Sequence, residues 1–117
     1  DPTMLDAAKE LRPNDWTIYE TEAVIWGAAQ NGAAADDALF GSDERLRQSL
    51  EQGGDCLSAR REQLETRLTI TWDEIMRIEG GPGNPQTGAT LDLRKVHELT
   101  RMELESIKQE QYTDFCQ

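Results

Sequence analysis

The side chains of this 117-residue chain that could do chemistry are two cysteines, Cys56 and Cys116, one histidine, His97, and a large surplus of carboxylates. A cysteine near the start of a helix loses its proton more readily, because the helix dipole favours the anion, so Cys56 is placed to act as a nucleophile or redox thiol. A disulfide, or two buried and reduced thiols, are the other readings of the pair. His97 needs partners to serve as a general base or metal ligand. Its neighbours Arg94, Glu98 and Arg101 fall instead at the three- and four-residue steps of surface ion pairs. Glu20 with Glu22, and Asp73 with Glu74, stand too close in sequence to face each other on one helix, so no acid/base pair stands out. The chain has no HExxH, EF-hand loop, zinc spacing or P-loop, and the glycine-rich segment after Glu79 lacks the lysine and helix start of a phosphate cradle. The expectation is a non-enzymatic protein with no catalytic residue, metal or cofactor.

The cysteines are positioned by two helical patterns separated by a turn. From Asp55 to Glu79, Leu57, Leu64, Leu68, Trp72, Ile75 and Ile78 fall within one apolar sector at about 100° per residue. Asp55 follows two glycines and is placed to cap that helix. A second pattern, from about Thr90 to Phe115, carries Leu93, Val96, Leu104, Ile107 and Phe115, with Thr90 or Asp92 as its cap. Between them, Gly80-Gly81-Pro82-Gly83-Asn84-Pro85-Gln86-Thr87-Gly88 forces a turn. Thr69-Ile70-Thr71 is a β-branched run inside the first arm, where a kink or short break is the alternative to a continuous helix.

Two antiparallel arms of nearly equal length, each about 35 Å, bring both sulfurs to the same end of the hairpin. Packed helix axes lie about 8–10 Å apart and a disulfide needs Cα atoms about 4.4–6.8 Å apart. The bridge therefore requires both cysteines to face the seam, or the last turn of the second arm to fray inward. The matched arms favour the disulfide. Closing a loop of about 60 residues would stabilise the fold by roughly 4 kcal/mol in the chain-entropy model.

Ahead of the hairpin, Asp1 to Arg12 has the pattern of a short helix stopped by Pro13. Asn14 or Asp15 caps a second helix running through Gln30, with Asn31-Gly32 as its C-cap. Its aromatic face is Trp16, Tyr19, Ala23 and Trp26, a row that serves as core or as a partner groove. Ala33 to Asp37 has the composition of a small-residue link, Leu39-Phe40 that of an anchor, and Ser42-Asp43-Glu44 opens a third short helix that turns Leu46 and Leu50 inward and ends at Gln52-Gly53-Gly54. The candidate partner-binding residues are Trp16, Tyr19, Trp26, Asp36 and Asp37. The fold expected is a single all-α domain over residues 1–117. It is a four- or five-helix bundle built on the antiparallel hairpin of about 55–79 and 90–115.

A net charge of −11 disfavours nucleic acid and anionic lipid as partners. No apolar run approaches the roughly 18 residues of a membrane span. The acidity keeps the chain in solution or matches a basic protein partner such as a cationic enzyme or toxin. The chain opens on Asp1 rather than methionine, as expected of a mature or trimmed product, and with a disulfide this places it in the periplasm or outside the cell.

Cys56-Leu57-Ser58-Ala59, Arg67-Leu68-Thr69-Ile70-Thr71-Trp72 and the closing Gln111-Tyr112-Thr113-Asp114-Phe115-Cys116 together resemble the small secreted helical proteins of the LprI lysozyme-inhibitor type. The resemblance covers about half the chain. Lys108 stands where that family tends to carry a tryptophan, and the N-terminal half has no cysteine. It implies a periplasmic or secreted protein that binds another protein, such as a cell-wall hydrolase. The functional expectation is an exported, non-enzymatic inhibitor, immunity protein or assembly factor with an acidic surface for a basic partner. The alternative is an intracellular structural or assembly subunit that oligomerises through the Trp16/Tyr19/Trp26 face, and third comes an enzyme using Cys56 or His97.

Overall fold

The structure, a computed structural model, describes residues 2–82, 88–109 and 113–117. A 3-10 turn over Pro2–Leu5 leads into α1 (Asp6–Leu11), α2 (Trp16–Ala28), α3 (Gly32–Leu50), α4 (Cys56–Glu79) and α5 (Leu91–Lys108). Two more 3-10 turns, Gly88–Thr90 and Asp114–Cys116, precede and follow α5. No strand occurs among the described residues. The fold is the expected all-α bundle, made of two hairpins: α2 packs along α3, α4 packs along α5, and α2 also lies against both α4 and α5.

Helix starts follow the local chemistry. Asp15, Asn31 and Asp55 each stand at an N-cap, and their side chains accept from the backbone N–H of Thr17, Ala34 and Ser58. At the far end of α4, Gly80 takes the left-handed conformation and the N–H of Gly81 donates to the Met76 carbonyl at 2.9 Å, which closes the helix.

Four expectations for the N-terminal half are corrected. Asn31-Gly32 does not end α2: Gln30 takes the left-handed position, at φ 61°, and Asn31 caps the next helix. Ala33 to Asp37 is not a link, and no separate short helix opens at Ser42, because α3 runs unbroken from Gly32 to Leu50. Alanine, leucine and arginine are good helix formers, and once Asn31 supplies a start nothing between it and Gly53 stops propagation. Phe40 is not an anchor; it is 65% exposed.

The first arm of the hairpin is as expected in extent, and the second is corrected in detail. α4 passes through Thr69-Ile70-Thr71 without a break, the hydroxyls of Thr69 and Thr71 donating to the Glu65 and Arg67 carbonyls one turn back. α5 stops at Lys108, short of Phe115, and residues 110–112 of the expected arm lie outside the described residues. Cys116 sits on the separate 3-10 turn. Thr90 occupies the N-cap position of α5, but its side chain makes no capping bond and donates to Glu79 instead. Buried apolar side chains come from every long helix: Ile18 and Ala23, then Ala35, Ala38 and Leu46, then Leu64 and Ile75, and finally Leu93 and Leu104. Fully burying one of the larger of these stabilises by about 1.5–3 kcal/mol. Leu57 and Trp72, expected on the inner stripe of α4, are exposed.

Candidate functional site

The inner face of α4 is polar where the apolar stripe would place leucines. Arg60, Gln63, Arg67 and Thr71 recur at three- and four-residue steps, so they lie one above another on the helix, and all four are buried. Two charged residues so placed need partners, because an unpaired buried ion costs several kcal/mol. Arg67 donates from Nε and Nη2 to Glu20 of α2, at 2.9 and 2.7 Å, and from Nη2 to Asp43 of α3 at 3.0 Å. Arg60 donates from Nη1 to the same Asp43 oxygen, Oδ1, at 2.7 Å, and grips Glu103 of α5 with Nε and Nη2 at 2.7 and 2.9 Å. Gln63 accepts from Arg60 and donates to Ser42. Thr113 donates to Glu103. One connected set of ion pairs thus joins α2, α3, α4 and α5, with both arginines bound in two-pronged fashion, the strongest geometry available to them. Burial alone would lower the pKa of Arg67; bonding to Glu20, with the charges of Glu20 and Asp43, outweighs it and holds the guanidinium above its ordinary value.

The disulfide is tied to this network. Cys56 and Cys116 are joined, their Cα atoms 5.8 Å apart, which carries the last residues of the chain back over the start of α4. Phe115 then lies beneath two cations, with the guanidinium carbons of Arg47 and Arg60 4.4 and 4.3 Å from its ring centre. A second polar clamp closes the opposite end of the hairpin. Glu79 accepts from Arg94 Nε and Nη2 and from Thr90 Oγ1, which holds its carboxyl below the usual carboxylate range against the opposing effect of burial.

Between α3 and α5 lies a cleft of about 170 Å³, floored by Arg67 and walled by Leu39, Val96 and Leu99, with Asp36, Asp92, Lys95 and Glu103 around it. Gly32 lets Asp92 approach the start of α3, since a Cβ there would stand 3.2 Å from Asp92 Oδ1. On the outer side of the α4/α5 hairpin, Trp72 and His97 make a shallow shelf with ring centres 5.2 Å apart. Burial foremost, then the neighbouring Arg94 and Arg101, lowers the His97 pKa against the pull of Glu98. No group of three or more His, Cys, Asp or Glu among the described residues is arranged to hold a metal ion.

The residues singled out from sequence divide accordingly. Cys56 and Cys116 are brought together. Trp16, Tyr19 and Trp26 are each half-buried on α2, and Tyr19 packs into the α2/α3 contact, where a Cβ on Gly41 would come within 2.6 Å of its ring. Lys9 and Arg45 sit on that ring at 4.7 and 4.6 Å. Asp36 lines the cleft and Asp37 is exposed beside it. Glu20 and Glu22 diverge, to Arg67 and Lys9 respectively, while Glu74 pairs with Arg77. Arg60, Gln63, Arg67 and Glu103 were not anticipated. The signal for three of them was present in the three- and four-residue spacing along α4, which a charged residue type disguises as a solvated face. No helix among the described residues is long and apolar enough to cross a membrane. Comparison with protein-family models, with curated proteins and with solved structures found no match.

Proposed function

We propose that the protein is an exported, non-enzymatic binding module whose acidic outer surface recognises a basic protein. The observation that carries this reading is where the positive charge goes. Arg60, Arg67 and Arg94 are spent on interior or half-buried carboxylates, and Lys9, Arg47, Arg61, Arg77 and Arg101 are paired with the chain's own Glu side chains. Asp6, Glu10, Asp36, Asp37, Glu51, Glu62 and Asp73 are left exposed, and against them stand only Arg12, Lys95 and Lys108 as exposed cations without an ion pair among the described residues, so the field that reaches solvent is net negative. The disulfide supports export, since such bridges persist in oxidising compartments. The likeness to secreted lysozyme-inhibitor proteins agrees with a basic cell-wall hydrolase as the partner class.

The test is binding to a lysozyme and to cytochrome c, equally basic but no hydrolase, over a series of salt concentrations. Binding to the lysozyme should weaken steeply as salt rises through the range where surface charges are screened. Replacing Asp36 and Asp37 by Asn should weaken it several-fold, chiefly through the association rate. Affinity that does not change with salt sinks the charged-surface reading, and equal binding to both proteins removes the hydrolase. Protein taken from its native compartment should have both thiols blocked to alkylation until reduced. Two free thiols there would turn the reading to an intracellular assembly subunit, tested next by its oligomeric state on dilution.

A further inference from the structure

The α3/α5 cleft has the makings of a ligand site that shares only Asp36 with the residues the basic-partner reading tests. Its floor is a partly uncommitted cation. Nε and Nη2 of Arg67 are taken by Glu20 and Asp43, while Nη1 has no hydrogen-bond partner among the described residues. Arg67 is only 6% exposed, yet Nη1 is not sealed in: the one fully enclosed side-chain nitrogen or oxygen without a partner among the described residues is Nε of Arg45. Arg67 lines the cleft, and Nη1 is its one guanidinium nitrogen without a partner among the described residues. Lys95, which makes no ion pair among the described residues, brings a second cation to the same space. Asp36 and Asp92 bring two carboxylates that likewise bind no cation there.

These charges restrict what fits. Glu103 is already held by Arg60, and the charge of Arg67 is already met by Glu20 and Asp43, so a bare anion would meet Asp36 and Asp92 against Lys95 alone, and a bare cation would leave Lys95 and Nη1 of Arg67 without an acceptor. A molecule with both charges a few bonds apart satisfies donors and acceptors together. The remaining wall is aliphatic, from Leu39, Val96 and Leu99. The volume of about 170 Å³ is slightly above that of a cavity that takes up benzene, and so suits a molecule of about nine heavy atoms. We propose that the cleft binds a free aliphatic α-amino acid. Its carboxylate accepts from Arg67 Nη1 and Lys95 Nζ, its ammonium donates to Asp36 and Asp92, and its side chain lies on the aliphatic wall.

Calorimetric titration of the intact, oxidised protein tests this with three probes that share the isobutyl side chain: L-leucine, isocaproate, which lacks the ammonium, and isoamylamine, which lacks the carboxylate. Leucine should bind, and each analogue should bind at least about tenfold more weakly, as expected when one charged hydrogen-bonding group is lost. Lys95→Met, at an exposed position, should weaken leucine and isocaproate about tenfold and leave isoamylamine unchanged. Val96→Phe, which fills the cleft, should abolish all three, with thermal unfolding verifying that the fold is kept. The proposal is overturned by absence of leucine binding at about 10 mM, far above any useful affinity. It is equally overturned if either analogue matches leucine or if Lys95→Met leaves leucine unaffected. None of these outcomes depends on whether lysozyme binds.

Discussion

The two hairpins are held by opposite means. In α2/α3 the contact is made by small side chains, Ala23, Ala35 and Ala38, with Gly41 pressed against the ring of Tyr19 and a connection of residues 29–31. Nothing covalent spans it. In α4/α5 both ends are fastened, one by Cys56–Cys116 and the other by Glu79 with Thr90 and Arg94. Close backbone approach fails when a single methyl group is added, because a packed interior cannot absorb the volume. A crosslink acts largely on the unfolded chain and tolerates imperfect packing nearby. Arg60 and Arg67 sit where the two kinds of construction meet, and they give the molecule its greatest sensitivity.

The largest effect expected is therefore at that junction. Arg67→Met leaves Glu20 buried without its cation and should destabilise by about 3–5 kcal/mol in urea unfolding, whereas Arg67→Met with Glu20→Leu should recover most of the loss. A single-mutant loss below about 1 kcal/mol would mean that Glu20 finds another partner or water. Next comes the second hairpin: Cys56→Ser with Cys116→Ser should lower stability by about 4 kcal/mol, the figure for a loop with a separation of 60 residues. In the first hairpin, Gly41→Val should cost about 1–3 kcal/mol by driving a side chain into Tyr19, and Tyr19→Ala in the same protein should relieve part of it. Asn31→Ala removes the bond to the Ala34 N–H and should cost about 1 kcal/mol, read by thermal unfolding.

Acid should separate the hairpins as well. Glu79 and Asp55, both on the second hairpin, have lowered pKa values, Glu79 through Arg94 and Thr90 and Asp55 through Ser58. A carboxyl held below its ordinary value, 4.5 for Glu79, stabilises the fold above that pH and loses its contribution as pH falls through the folded-state value. His97, lowered from 6.5, acts in the same direction at higher pH. Its contribution is complete above 6.5 and fades as pH drops through the folded-state value. Unfolding curves from pH 7 downward should thus show stability falling in both windows. Glu79→Gln should flatten the lower one, His97→Gln the upper one, and an unchanged slope in either variant would remove that residue from the account.

Much of the second hairpin was legible in the sequence, because its signals are local: a glycine pair and Asp55 to open α4, a cluster of Gly and Pro to close it, and arms matched in length to bring two cysteines level. Even there the helix face was misassigned. Leu57 and Trp72 are large and apolar but exposed, while Arg60 and Arg67 are charged but buried. Residue type predicts burial only on average, and partners that make a buried arginine tolerable, Glu20 and Asp43, lie on other helices at distances along the chain that no periodicity reports. In α3 small residues have the composition of a link, yet their absence of bulk is what lets α2 come close. The cleft was not legible at all. Its lining comes from three helices, and of those residues only Asp36 reads from sequence as a candidate for binding, while Leu39, Asp92 and Val96 read as anchor, cap and core.

The bridge from Cys56 to Cys116 also decides how the molecule bears a pull. Tension applied between Pro2 and Gln117 runs along the chain to Cys56, crosses the sulfurs, and leaves at Cys116, so residues 57–115 are outside the load path. Only the N-terminal half can be drawn out, to a contour of roughly 200 Å at about 3.6 Å per residue, and the α4/α5 hairpin rides through the stretch as a closed, unloaded loop.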